Sequence, residues 1–112
     1  MAYELVMYIR NRGCPYVSTA RLTLGRLGVR YREVNIDQDD SARAWLLETV
    51  GFLSVPTLVV AEQGQDRPSS PPEPLAQGKS PRGIDRGSII TEPSSAQLSV
   101  WLEKHGFTRP TS

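Results

Sequence analysis

Leu5-Val6-Met7-Tyr8-Ile9-Arg10-Asn11-Arg12-Gly13-Cys14-Pro15-Tyr16-Val17 changes its periodicity at the only cysteine of the chain. Leu5 to Ile9 is an unbroken apolar run of strand length, the pattern of a strand buried on both faces. From Pro15 the spacing turns helical. Val17, Ala20, Leu24 and Leu27 fall on one face, and Gly28 is placed to cap the end. Pro15 suits the first helical position, where the N–H it lacks would go unused. Cys14 therefore stands at a strand-to-helix joint. The first amides of a helix have no partner within it and act as a partial positive charge, so a thiolate there is favoured over a thiol. Gly13 and Pro15 flank it instead of core residues, which sets it apart from a buried cysteine acting as a small hydrophobe.

Tyr31 to Ile36 alternates as a second strand. Asp37-Gln38-Asp39-Asp40 supplies a turn and an N-cap, Asp39, for a helix over 40–50. Trp45, Leu46, Thr49 and Val50 form its inner face, and Gly51 closes it. Ser54-Val55-Pro56-Thr57 leads into a strand over 56–61, where a proline in first position removes no ladder bond. Residues 87–91 make a short strand. Ser94 to Gln97 has capping-box spacing for a last helix, with Leu98, Trp101 and Leu102 inward and His105-Gly106 at its end. The order is βαβ, helix, ββα. A right-handed crossover makes the first two strands parallel. The expectation is an α/β fold: a four-stranded mixed sheet in the order 2-1-3-4 with three helices, its last two strands an antiparallel hairpin.

Residues 62–86 hold five prolines, three glycines and no aromatic residue, with four acids against four bases. Such a segment has too little apolar surface to offset its ordering entropy, so it reads as a mobile loop inserted in a single domain over 1–112. Pro71-Pro72-Glu73-Pro74 favours an extended polyproline conformation, and a partner-binding insertion is the other reading.

At 112 residues, 38% apolar and 22% charged, the chain suffices for one domain with a real core. One cysteine excludes an internal disulfide and with it a disulfide-stapled secreted design. The N-terminus carries no signal peptide and no apolar run approaches a membrane span, so a reducing, cytoplasmic setting and no membrane partner are expected. The net charge of +1 hides an asymmetry. Residues 1–35 carry six arginines against Glu4 and Glu33, whereas residues 36–61 carry four acids against Arg43. The basic part surrounds Cys14, which suits a small anionic substrate or, alternatively, a solvated helix face. No basic stripe is interleaved with aromatics, so nucleic acid is not an expected partner. His105 reads as a charged surface cap at a helix C-terminus, and Asp37, Asp39 and Asp40 as turn and capping residues.

Val55-Pro56 reads as a cis step that leaves the N–H and C=O of Val55 free to pair with an extended, peptide-like substrate. Combined with Cys14 in this order of elements, it points to thiol–disulfide chemistry. Cys14-Pro15-Tyr16-Val17 resembles the Cys-Pro-Tyr-Cys motif of the glutaredoxin family with its final cysteine replaced. The similarity takes in Met7-Tyr8, Ala20-Arg21, the passage from Gly28 to Asp37, and Ser54-Val55-Pro56-Thr57. Thr91-Glu92-Pro93-Ser94 is similar to the Thr-Asn-Pro-Ser of mycoredoxin-like members.

The resemblance implies a thioredoxin-like fold, with glutathione as co-substrate and no metal. Glutathione would be held on Cys14 as a mixed disulfide. Tyr16 would line the cysteinyl groove, Val55 (ahead of Pro56) would pair with the glutathione backbone, and Ser94 would present helix amides to the γ-glutamyl carboxylate. Arg10, Arg12 and Arg21 add formal charge nearby, and Arg12 and Arg21 are the expected glutathione-binding cations. Three departures matter. Val17 removes the resolving thiol, and Phe52 stands where many members carry an Arg or Gln for the glycyl carboxylate. The run Ile9 to Gly13 is about one residue longer than usual, which leaves open the Arg that replaces a carboxylate-binding Lys. The expected activity is that of a monomeric, monothiol oxidoreductase acting on proteins in mixed disulfide with glutathione or a similar low-molecular-weight thiol. Two alternatives stand beside it: a non-catalytic redox-sensing or partner-binding module, and a glutathione-dependent iron–sulfur cluster carrier. Pro15-Tyr16 departs from the Cys-Gly-Phe-Ser motif of such carriers.

Overall fold

Leu5, Val6, Met7 and Tyr8 keep no exposed surface, as a strand paired on both edges and covered on both faces requires. A computed structural model describes residues 3–74 and 80–108. Strand β1 (Tyr3–Ile9) pairs in parallel with β2 (Arg32–Asn35) and antiparallel with β3 (Thr57–Glu62). Strand β4 (Ile89–Thr91) lies antiparallel to β3 on its other side. The sheet order β2-β1-β3-β4 is the one expected from the sequence. Helix α1 (Pro15–Leu27) makes the parallel crossover, α2 (Asp40–Val50) follows β2, and α3 (Ser95–Lys104) ends the described fold.

The helix ends follow the chemistry of their residues. Gly28 takes the left-handed conformation, φ 68°, that closes α1, and Gly51 does the same for α2. Asp39 accepts the Ala42 N–H at 3.0 Å, and Ser94 forms a full capping box with Gln97. Helices α1 and α3 meet where Thr23 Oγ1 lies 3.0 Å from Ser95 Oγ. On the face to which Tyr8 points, Trp45 of α2 packs with ring centroids 5.1 Å apart.

Several expectations need correction. Leu27 is 40% exposed, because helical spacing fixes a direction but not where the opposing surface stops. On α2 the buried positions are Ala42, Leu46 and Val50, with Trp45 and Thr49 only half-buried. The small Ala42 permits the close approach that Trp45 at the margin does not. The strands also start or end one or two residues away from the expected bounds.

The segment 62–86 links β3 to β4, and its described residues make hydrogen bonds to the rest of the fold. Ser69 N–H donates to Val60 O at 2.8 Å, Glu73 N–H to Arg86 O at 2.9 Å, and Ser88 Oγ to Ser70 O at 2.7 Å. The Tyr8 hydroxyl donates to Asp66 O and accepts from Arg67. Pro81 and Arg86 are buried. Composition does not register such bonds. Residues 75–79, at the centre of the expected mobile loop, lie outside the described residues.

Candidate functional site

Cys14 is the N-cap of α1, in extended conformation (φ −138°, ψ 130°), with Pro15 after it. Its carbonyl accepts the Ser18 N–H at 3.1 Å, so the helix starts at this residue. The thiol makes no capping bond to the helix. It donates instead to Val55 O at 3.5 Å. No acidic residue stands in the first turn, so nothing on the helix offsets its positive end. Cys14 is half-buried against the core, whereas Val17, three residues on, is buried within it.

The approach to Cys14 is held by Asp37 in the β2–α2 turn. Its carboxylate accepts the Asn11 N–H at 2.8 Å, Arg43 Nη1 at 3.0 Å and Arg10 Nε at 3.4 Å. The Asn11 N–H above all, then Arg10 and Arg43, hold this carboxyl below its ordinary range against the opposing effect of burial. Asn35 Nδ2 adds a bond to Asn11 Oδ1 at 2.7 Å. Arg10 and Asn11 are thus tied to the end of β2 and the turn after it.

Opposite lies the turn before β3. Val55-Pro56 is cis, and Val55 is buried. Among the described residues no acceptor takes the Val55 N–H. Pro56 O accepts the Glu92 N–H at 2.8 Å, and Thr57 Oγ1 lies 3.0 Å from Thr91 Oγ1. These contacts bind the end of β4 to the same turn.

The expected cations separate into two groups. Arg21 is two turns along α1 and forms a paired contact with Glu33, at 2.8 and 2.9 Å; the structure does not bring it to Cys14. Arg10 is occupied by Asp37. Arg12 is exposed and, among the described residues, unpaired. Ser94 spends its own groups on capping: Oγ accepts the Gln97 N–H at 3.1 Å and its N–H goes to Gln97 Oε1 at 2.8 Å. Among the described residues, the Ser95 and Ala96 amides at that end have no partner. Phe52 is 59% exposed just past Gly51.

Sequence reasoning missed Arg82 and Glu92. Arg82, from the inserted segment, lies with its guanidinium carbon 5.3 Å from the centre of the Tyr16 ring. Its Nε donates to Glu92 Oε2 at 2.8 Å. The bond to Glu92 first, with the Glu92 charge, Tyr16 and Cys14 behind it, strengthens its hold on its proton. Nothing in the order of residues announced this, because a proline-rich insertion carries no period. A cleft of about 620 Å³ lined by Tyr3, Glu4, Val29, Arg32 and Phe107 opens at the N-terminal end of β1, away from Cys14, and holds no nucleophile.

A family model for glutaredoxin matches residues 5–64, from β1 through Cys14 and Pro56 to the end of β3. The chain belongs to the glutaredoxin family. A thiol–disulfide oxidoreductase type of function goes with that domain, and the glutaredoxin family uses glutathione as a co-substrate. Comparison with curated proteins gives no match. Among the described residues no helix is long and apolar enough to cross a membrane.

Proposed function

We propose that this glutaredoxin is a monothiol oxidoreductase that releases glutathione, or a similar low-molecular-weight thiol, from protein mixed disulfides through Cys14. The observation that carries the reading is the Cys14 thiol at an unopposed helix N-terminus, 3.5 Å from the Val55 carbonyl. The Cys14 thiolate attacks the glutathione sulfur. That S–S bond breaks, the protein sulfur leaves as thiolate and takes a proton, and Cys14 carries glutathione. A second glutathione thiolate then attacks the adduct, giving glutathione disulfide and free Cys14. The route needs one cysteine, so Val17 does not obstruct it. Val55 N–H supplies a backbone partner for the substrate, Tyr16 a wall, and Arg12 with the Ser94 end of α3 supports for carboxylates. A cytoplasmic, reducing setting and a monomeric chain complete the proposal.

The competing reading is a non-catalytic redox-sensing or partner-binding module. It draws on Val17 and on Phe52, an exposed ring where many relatives are read to carry a carboxylate holder. One experiment separates them. Glutathione disulfide should convert the protein to a single glutathione adduct at Cys14 by intact mass, and added glutathione should reverse it within seconds to minutes. An adduct that never forms, or that glutathione does not reverse, removes the oxidoreductase reading.

A further inference from the structure

Arg82 reaches the Cys14 site from the inserted segment and is held there on two sides. Its backbone forms a parallel bridge with Thr91, and the next residue, Gly83, donates its N–H to Thr91 O at 2.7 Å. Its side chain is stacked over Tyr16 and fixed at Nε by Glu92. Among the described residues no acceptor takes Nη1 or Nη2, and the side chain is 60% exposed, so these N–H groups face solvent over the Tyr16 ring, two residues from Cys14. A guanidinium fixed at one edge and open at the other is prepared to receive a carboxylate with little further ordering. Glu92 occupies the Nε edge and leaves that outer edge to a ligand.

Resting on the reading of Cys14 as a thiol that exchanges with small disulfides, we propose that Arg82 is a specificity-determining residue that selects carboxylate-bearing disulfides over neutral or cationic ones. The exchange step itself is balanced without any further reactant. The Cys14–S bond to the incoming sulfur forms, the S–S bond of the small disulfide breaks, and its other sulfur departs with the electron pair as thiolate. Arg82 takes no proton and forms no bond in this step; it raises the share of encounters that place an anionic disulfide at Cys14.

The test is the single-turnover rate of Cys14 modification, read by quenched intact mass on the whole chain. Three reagents are compared: glutathione disulfide (anionic), hydroxyethyl disulfide (neutral) and cystamine (cationic). Arg82→Gln should lower the ratio of the glutathione disulfide rate to the hydroxyethyl disulfide rate by about fivefold. Arg82→Glu should move the preference to cystamine, and higher salt should shrink the preference of the unmodified chain. An unchanged ratio in both variants overturns the proposal, as does an equal fall with all three reagents. Turnover with glutathione and glutathione reductase is measured separately. No turnover with an altered ratio would sink the oxidoreductase reading alone; turnover with an unchanged ratio would sink the role of Arg82 alone.

Discussion

The sulfur of Cys14 and the carbonyl oxygen of Val55, 41 positions apart in the chain, lie 3.5 Å from each other. On the proposed reading, the attacking thiol therefore rests against the backbone that would pair with an extended substrate. Attack on sulfur and backbone pairing can then happen in one encounter. Val17, three residues along the same helix, is buried in the core.

That arrangement makes Val17 a probe. The unmodified chain is expected to deglutathionylate a protein mixed disulfide and to leave a protein disulfide unreduced, since nothing within the chain resolves the second adduct. Val17→Cys puts a thiol on the same helical turn and should add protein-disulfide reduction. It should lower stability by only about 1 kcal/mol, because the volume change is small. Cys14→Ser should bring both activities to background. A coupled glutathione reductase assay on both substrates checks all three; activity of the unmodified chain equal to that of Cys14→Ser would count against the proposal.

His105 predicts a pH dependence of stability. It is half-buried, its Nε2 donates to Gly87 O at 2.7 Å, and its ring stands edge-on to Trp101 with centroids 4.8 Å apart. His105 is the C-cap of α3, and burial first of all pushes its pKa below the ordinary 6.5. The unfolded chain thus takes up this proton at a higher pH than the folded one. The contribution of His105 is complete above about pH 6.5 and is lost as pH falls towards the lower folded value. Melting temperature should drop between pH 7.5 and 5.5, and His105→Gln should flatten that drop. Parallel curves for the two proteins would contradict the assignment. Glu33 and Asp37, with depressed pKa values, act lower, below about 4.5 and 3.8.

Gly83 tests how closely the inserted segment is packed. It has φ 72°, and a Cβ there would come within 2.8 Å of the Gln97 amide, which is engaged in capping α3. Gly83→Ala should cost about 1–2 kcal/mol, from backbone strain and displacement of the cap. The urea midpoint measures it. A variant as stable as the parent would mean that residues 80–86 do not sit on α3.

Arg86 is buried and, among the described residues, has no carboxylate partner; its Nε donates to Glu73 O at 2.6 Å and Nη1 to Thr49 O at 3.1 Å. Burial loosens its proton slightly, yet a guanidinium stays charged. Arg86→Ala should leave two carbonyls without donors and cost about 1–3 kcal/mol. Faster proteolysis within 62–74 should accompany the loss. Unchanged cleavage would show that this arm is held by its other bonds alone.

The regular elements were legible because each has a period or a punctuation mark. The apolar run at Leu5, the Gly28 and Gly51 stops and the Asp39 and Ser94 caps act through neighbours a few residues away. Cys14 was legible for the same reason, as a thiol between Gly13 and Pro15. Arg82 and Glu92 were not. Their meeting depends on how a non-repeating segment returns to the sheet, and on backbone bonds such as Gly83 to Thr91 that any residue type can make. The fate of Arg21 was equally hidden, since its partner Glu33 is on a strand set beside α1 only by the fold.

Glu92 has φ 45°, a left-handed conformation that glycine or asparagine accepts more readily. Holding it there costs about 1 kcal/mol, and its carboxylate is what keeps Arg82 in position over Tyr16. Glu92→Asn should therefore relax the backbone and release the guanidinium together. Heat resistance and discrimination among disulfides are opposed at this one residue. A thermal screen, used alone, would choose the variant that had lost its preference.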